Sequence, residues 1–212
     1  MANEIFIQKL LEISSSDSHE KFSSVKYPQT PVWQEIYEIL LSKRNGFIAF
    51  EQALEVFGSG ACEHPCDIIY YNAMLNWPDI YNLEKDAVMF AQDAFGFPFF
   101  LSSKRVGQLN SETGEVIEMG NSLNSWASSL LEDWDYMTGW SVLKKWQDQF
   151  GKLRIGERLY PKIMFMFGGK YEVSNLYVAQ MSEGVDFRAD LFLQTKSIPD
   201  GTAINIKVRR DT

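Results

Sequence analysis

Apolar side chains fall at helical spacing over the first third of the chain. Phe6, Leu10 and Ile13, with Leu11 alongside, predict a short opening helix. The polar run at 14–21 predicts a mobile loop, so residues 1–30 read as an N-terminal helix and loop ahead of the main body. Thr30 and Pro31 then supply a cap and a first turn for a helix with Trp33, Ile36, Tyr37, Leu40 and Leu41 on one face. Asn45-Gly46 closes it. Residues 47–57 read as another mostly helical apolar piece ending at Gly58-Ser59-Gly60, and 67–77 as a helix stopped by Pro78.

Beyond Pro78 the period shortens. Residues 87–91, 97–101, 106–109 and 115–119 are β-prone runs separated by turn residues, with a hairpin connection at 110–114. Connections this short leave no room for helical crossovers, so the runs predict an antiparallel meander. Asn121 or Ser122 can cap the next helix, which carries Leu123, Trp126, Ala127, Leu130, Leu131 and Trp134 on one face. A second helix from about Thr138 bears Leu143, Trp146 and Phe150 and ends at Gly151. Further strands are expected at 163–167 and 176–179, joined across Gly168-Gly169, and a last one at 203–208 after the Pro199-Asp200-Gly201 turn. Residues 187–198 suit helix and strand equally. Helices, then a meander, then mixed elements predict an α+β fold with a central antiparallel meander sheet flanked by helices.

With 212 residues, the chain is expected to form one domain spanning 1–212. Its 45% apolar and 14% aromatic content excludes a disordered or fibrous chain. The net charge of −8 argues against direct nucleic-acid binding and against an anionic membrane surface. That charge is unevenly placed. Residues 61–150 carry 13 acids and 5 bases, which equals the whole excess, so a cationic partner would be sought there. The first residues show no signal-peptide pattern and the apolar runs are too short to span a membrane, so a cytoplasmic location is expected.

Candidate chemistry is sparse. Cys62, His64 and Cys66 have metal-ligand types, but a closed tetrahedral site would need a fourth ligand from His19 or a carboxylate, so no metal and no cofactor is expected. There is no Gly-x-Ser-x-Gly elbow, and the glycines at 58–60 and 168–169 suit turns better than phosphate loops. Carboxylate spacing selects no acid–base pair. Trp77 and Trp140 are the least constrained candidates for an exposed carbohydrate platform. Glu132, Asp133 and Asp135 gather at the C-terminal end of the 122–134 helix, where the macrodipole disfavours anions. Asp135 also approaches the N-terminus of the following helix, where an acid is welcome. The alternative reading is that a cationic partner docks there.

A set of ordered segments carries a further signal. It comprises Asn45-Gly46-Phe47-Ile48-Ala49-Phe50-Glu51-Gln52-Ala53-Leu54, Phe90-Ala91-Gln92-Asp93-Ala94-Phe95-Gly96-Phe97-Pro98-Phe99 and Thr113-Gly114-Glu115. It continues through Trp126, Trp134, Gly139-Trp140, Gly156-Glu157-Arg158-Leu159-Tyr160-Pro161, Phe167-Gly168-Gly169-Lys170-Tyr171, Asn175-Leu176-Tyr177 and Pro199-Asp200-Gly201. This series, over residues 45–208, resembles bacterial members of the SUKH superfamily, which groups Smi/Knr cell-wall-assembly regulators with bacterial toxin-immunity proteins. The resemblance implies an α+β fold and protein binding rather than catalysis: an immunity protein that neutralises a toxin, often a nuclease, by direct binding. The alternative it implies is an intracellular scaffold or regulator with an endogenous partner. No catalytic residue transfers.

A nuclease must be cationic to hold nucleic acid, so an inhibitor gains from an acidic face. The expected partner-binding residues are therefore Glu112, Glu115 and Glu118 of the hairpin and Glu132, Asp133 and Asp135 at the helix end.

Overall fold

Residues 4–16, 27–60, 66–199 and 201–203 are described by a computed structural model of the chain. The opening helix, α1 (Ile5–Glu12), buries Ile7 and Leu10. Thr30 caps α2 (Pro31–Ile36) by accepting a hydrogen bond from the Trp33 amide, and the helix runs on through a π-helical stretch, Tyr37–Leu41.

Residues 47–57 depart from the expected helix. They form a hairpin, β1 (Phe47–Ala49) and β2 (Leu54–Val56), paired antiparallel with Phe47 opposite Val56. The reversal is made by Phe50, Glu51 and Gln52, all at positive φ. Leu54, Glu55 and Val56 are all buried, so the strand covers both faces and shows no alternation. A short two-sided strand of that kind has the same apolar texture as a buried helix.

Asp67 caps α3 (Ile68–Met74), accepting from the Ile69 and Tyr70 amides. Pro78 opens the next helix, α4 (Trp77–Tyr81), in whose first turn its missing N–H costs nothing. Then come β3 (Val88–Gln92), β4 (Pro98–Leu101), β5 (Val106–Leu109) and β6 (Val116–Glu118), as the short period predicted. With the early hairpin they make one six-stranded antiparallel sheet in chain order, β1 to β6.

Ser122 caps α5 (Leu123–Glu132) in a reciprocal capping box with Ser125. After α5 comes a further short helix, α6 (Trp134–Thr138), and then the expected second helix, α7 (Trp140–Phe150), parted from α6 by Gly139 at φ 71°. The strand expected at 163–167 is absent. Instead β7 (Glu157–Pro161) pairs with β8 (Leu176–Gln180), and 165–167 form a 3₁₀ turn. The Asn175 side chain takes the place of a strand partner there. It accepts from the Ile163 amide at 2.9 Å and donates to the Ile163 and Lys170 carbonyls at 3.0 and 3.1 Å. Of the ambiguous residues 187–198, those up to Thr195 are helical, as part of α8 (Met181–Thr195), and 196–198 turn away from it. The strand expected at 203–208 lies almost wholly outside the described residues, as does most of the polar loop at 14–21.

The result is an α+β domain with a central antiparallel meander flanked by helices. Its main core gathers Leu10, Ile36, Phe47, Phe90, Phe99 and Trp126 between sheet and helices. A second cluster, with Phe95, Phe97, Leu143, Leu159 and Leu176, joins the β3–β4 turn to α7 and the β7–β8 pair. Trp77 is no ligand platform. It is buried, stacked between Tyr71 and Tyr81 at 5.3 and 5.8 Å. Trp140 is half-buried, edge-on to Trp134 at 4.7 Å.

Candidate functional site: an acidic, aromatic-walled cleft

Three of the six expected partner-binding acids, Glu115, Asp133 and Asp135, line one cleft of about 730 Å³. Its floor is Asp93, Phe95 and Phe97 of the β3–β4 turn with Gln108 of β5. Tyr136 of α6, the start of α7, Tyr171 and the hairpin residues Glu115 and Ile117 complete the lining. Among the described residues the lining holds four carboxylates and no Lys, Arg or His.

Local sequence builds each part. Gly96, at φ 75°, turns the chain between β3 and β4, and the Asp93 carboxylate accepts the Phe95 and Phe97 amides at 2.9 Å each. Gln108 donates to the same carboxylate at 3.0 Å and to the Met137 carbonyl at 3.3 Å, tying sheet to α6. Burial pushes the Asp93 carboxyl up to about 7, against the pull of the Phe97 and Phe95 amides and the Arg188 and Arg158 charges. The negative charge of the cleft floor therefore grows as the pH rises through neutrality.

Asp135 serves the helix N-terminus, as one of the two sequence readings had it. It accepts from the Ser141 amide at 2.7 Å and the Ser141 hydroxyl at 2.5 Å in the first turn of α7. Asp133 sits between α5 and α6 and is exposed, with no side-chain cap bond. Tyr136 is 71% exposed. Tyr171 stacks on Phe165 at 3.7 Å and meets Phe95 edge-on at 5.2 Å. Partial burial, then the charges of Asp93 and Glu112, push its hydroxyl up to about 12.

The other three acids lie elsewhere. Glu112 is a correction: it is fully buried, pairs with Arg188 at 3.2 Å and accepts the Met166 amide at 3.0 Å. A carboxylate so enclosed cannot face a partner. Glu118 is exposed but paired with Arg105 at 3.0 Å and borders a separate shallow groove with Ser122, Ser125 and Ser129. Glu132 is exposed outside the cleft.

Behind the floor lies a group that spacing did not reveal. Arg188 of α8 is buried, donates to the Phe95 carbonyl at 2.6 Å and to Glu112, and lies over the rings of Phe97 and Tyr160 at 4.3 and 4.9 Å. It holds the aromatic floor in place from beneath.

Cys66 is buried and donates its thiol to Glu55 at 2.9 Å; Glu55 also takes Gln92 at 2.7 Å and pairs with Arg158. Burial, then the Glu55 charge, raises the thiol far above its ordinary range, which leaves it unreactive. Cys62, His64 and His19 lie outside the described residues. Among the described residues no three His, Cys, Asp or Glu side chains are grouped to hold a metal ion, and no helix is long and apolar enough to cross a membrane.

No family model and no curated protein matches the chain. Among solved structures, Atu4351 from Agrobacterium tumefaciens is similar, with a TM-score of 0.51 at 13% identity over 84% of this chain and 86% of that one. The likeness is one of fold.

Proposed function

We propose that this chain is a non-enzymatic binding domain that grips a cationic protein through the acidic cleft. Within that reading it is an immunity-type protein of the cytoplasm that neutralises a nuclease-type toxin by direct binding. The observation that carries the reading is the lining itself: among the described residues it brings four carboxylates, four aromatic rings and no cation into one concavity. Charge of one sign in a cleft speeds encounter with a basic partner and rejects acidic ones. The exposed Tyr136, Tyr171 and Ile117 add apolar anchors at its edge, the kind of residue that carries binding energy at protein interfaces. A toxin nuclease is basic because it must hold phosphates, so blocking it with this cleft also blocks its substrate. The immunity part of the proposal rests on the SUKH resemblance of residues 45–208.

The genomic neighbour supplies the probe. A toxin domain encoded beside this gene is expected to form a complex with the chain and lose its activity in it. Affinity measured by calorimetry is expected to weaken steeply between about 0.05 and 0.3 M salt, as the Debye length shortens from about 14 to 6 Å. Binding indifferent to salt would refute the charge-led mode, and a neighbour that neither binds nor is inhibited would refute the immunity reading.

A further inference from the structure

The cleft's hydrogen-bonding character is more selective than its charge. Asp133, Asp135 and Glu115 offer only acceptors, and the Ser141 hydroxyl is already donated to Asp135. Gln108 adds another acceptor. It is 7% exposed, both of its described hydrogen bonds leave from the amide nitrogen, and its amide oxygen accepts none. That oxygen is not one of the fully buried polar atoms that lack a partner, so it stays open to a donor entering the cleft. A ligand rich in N–H donors, positively charged and able to lie against aromatic rings fits this lining.

Resting on the basic-partner reading above, we propose that the cleft is a receptor for an arginine side chain, presented by a loop of the partner. The guanidinium donates toward Asp133 and the Gln108 oxygen and stacks between the aromatic walls. A lysine ammonium meets the charge requirement but is a compact, strongly hydrated point that neither forks onto a carboxylate nor stacks as a plane. The chain already houses a guanidinium this way. Arg188 lies over Phe97 and Tyr160 and pairs with a carboxylate, and the same Phe97 lines the cleft. With about 730 Å³ available, the cleft holds a loop tip rather than one isolated side chain.

Three blocked tripeptides test this: acetyl-Ala-Arg-Ala-amide, its lysine counterpart and its citrulline counterpart, which keeps the shape of arginine without the charge. Each is titrated into the full chain while amide and side-chain NMR shifts are followed. The arginine peptide is expected to shift the Gln108 side-chain amide, Ile117 and Tyr171, and to bind about three- to fivefold tighter than the lysine peptide, the worth of one stacked cation. Citrulline is expected to produce no saturable shift. Asp133→Asn, at an exposed position with no cap bond to lose, is expected to weaken arginine binding by up to about fivefold while shifting the free protein's spectrum only at residues next to 133. Equal binding of arginine and lysine would overturn the guanidinium assignment while leaving the basic-partner reading standing. So would shifts confined to residues outside the cleft, or a toxin domain that binds normally after all its interface arginines are changed to lysine.

Discussion

Replacing Arg188 with methionine is expected to lower the stability of the fold by about 3–5 kcal/mol, because the change strands Glu112 as an unpaired buried carboxylate. For a chain of this size the melting temperature should fall by about 10 °C. The loss has three sources: the ion pair at 3.2 Å, the hydrogen bond to the Phe95 carbonyl at 2.6 Å, and the stacking over Phe97 and Tyr160. The first should dominate, and a second variant separates it. In Arg188→Met with Glu112→Leu neither charge of this pair is left buried, so much of the stability should return. A double variant as unstable as the single one would mean that the carbonyl bond and the ring stacking carry the load instead. The thermal unfolding of the two variants decides between these.

Gly139→Ala is expected to cost about 2–5 kcal/mol. Gly139 sits at φ 71°, where an L side chain costs about 1–2 kcal/mol. A Cβ built there would also stand 2.2 Å from the Phe95 ring, and overpacking of that kind costs about 1–3 kcal/mol. Gly168 provides the comparison. It has φ 84° but nothing within 4 Å of a built Cβ, so Gly168→Ala should show only the backbone part. Equal losses at the two positions would show that Phe95 yields freely and that the cleft floor is softer than its packing indicates.

Legibility varied with how much of the information was local. The meander was readable because each strand from 88 to 118 is short, β-prone and bounded by turn residues. The helix at 123–132 was readable because Ser122 and the apolar stripe agree. The β1–β2 hairpin was not. Its strands are buried on both sides, and its turn uses Phe50, Glu51 and Gln52 at positive φ rather than glycine or asparagine. Nor was the 3₁₀ turn at 165–167, since the continuous apolar run from Ile163 to Phe167 imitates a buried strand while Asn175 supplies the bonds from twelve residues away.

The site divides in the same way. The charge excess in 61–150 pointed to the stretch that supplies nearly all of the described cleft lining, and Glu115, Asp133 and Asp135 line it together. Nothing in the spacing distinguishes them from Glu112, whose burial is set by Arg188, 76 residues further on. Asp93 and Gln108 carried no sign of their role, because it comes from the pairing of β3 with β4 and β5 and from the approach of α6.

The central claim is that the cleft, rather than the acidity of the chain at large, receives the cationic partner. Two variants of equal net charge test it: Glu115→Gln with Asp133→Asn inside the cleft, and Glu118→Gln with Glu132→Gln outside it. The measurement is the affinity of each for the neighbouring toxin domain at one low salt concentration. The cleft pair is expected to lose about tenfold in affinity, equivalent to about 1.4 kcal/mol, and the outer pair less than about twofold. Equal losses, or a larger loss for the outer pair, would contradict it.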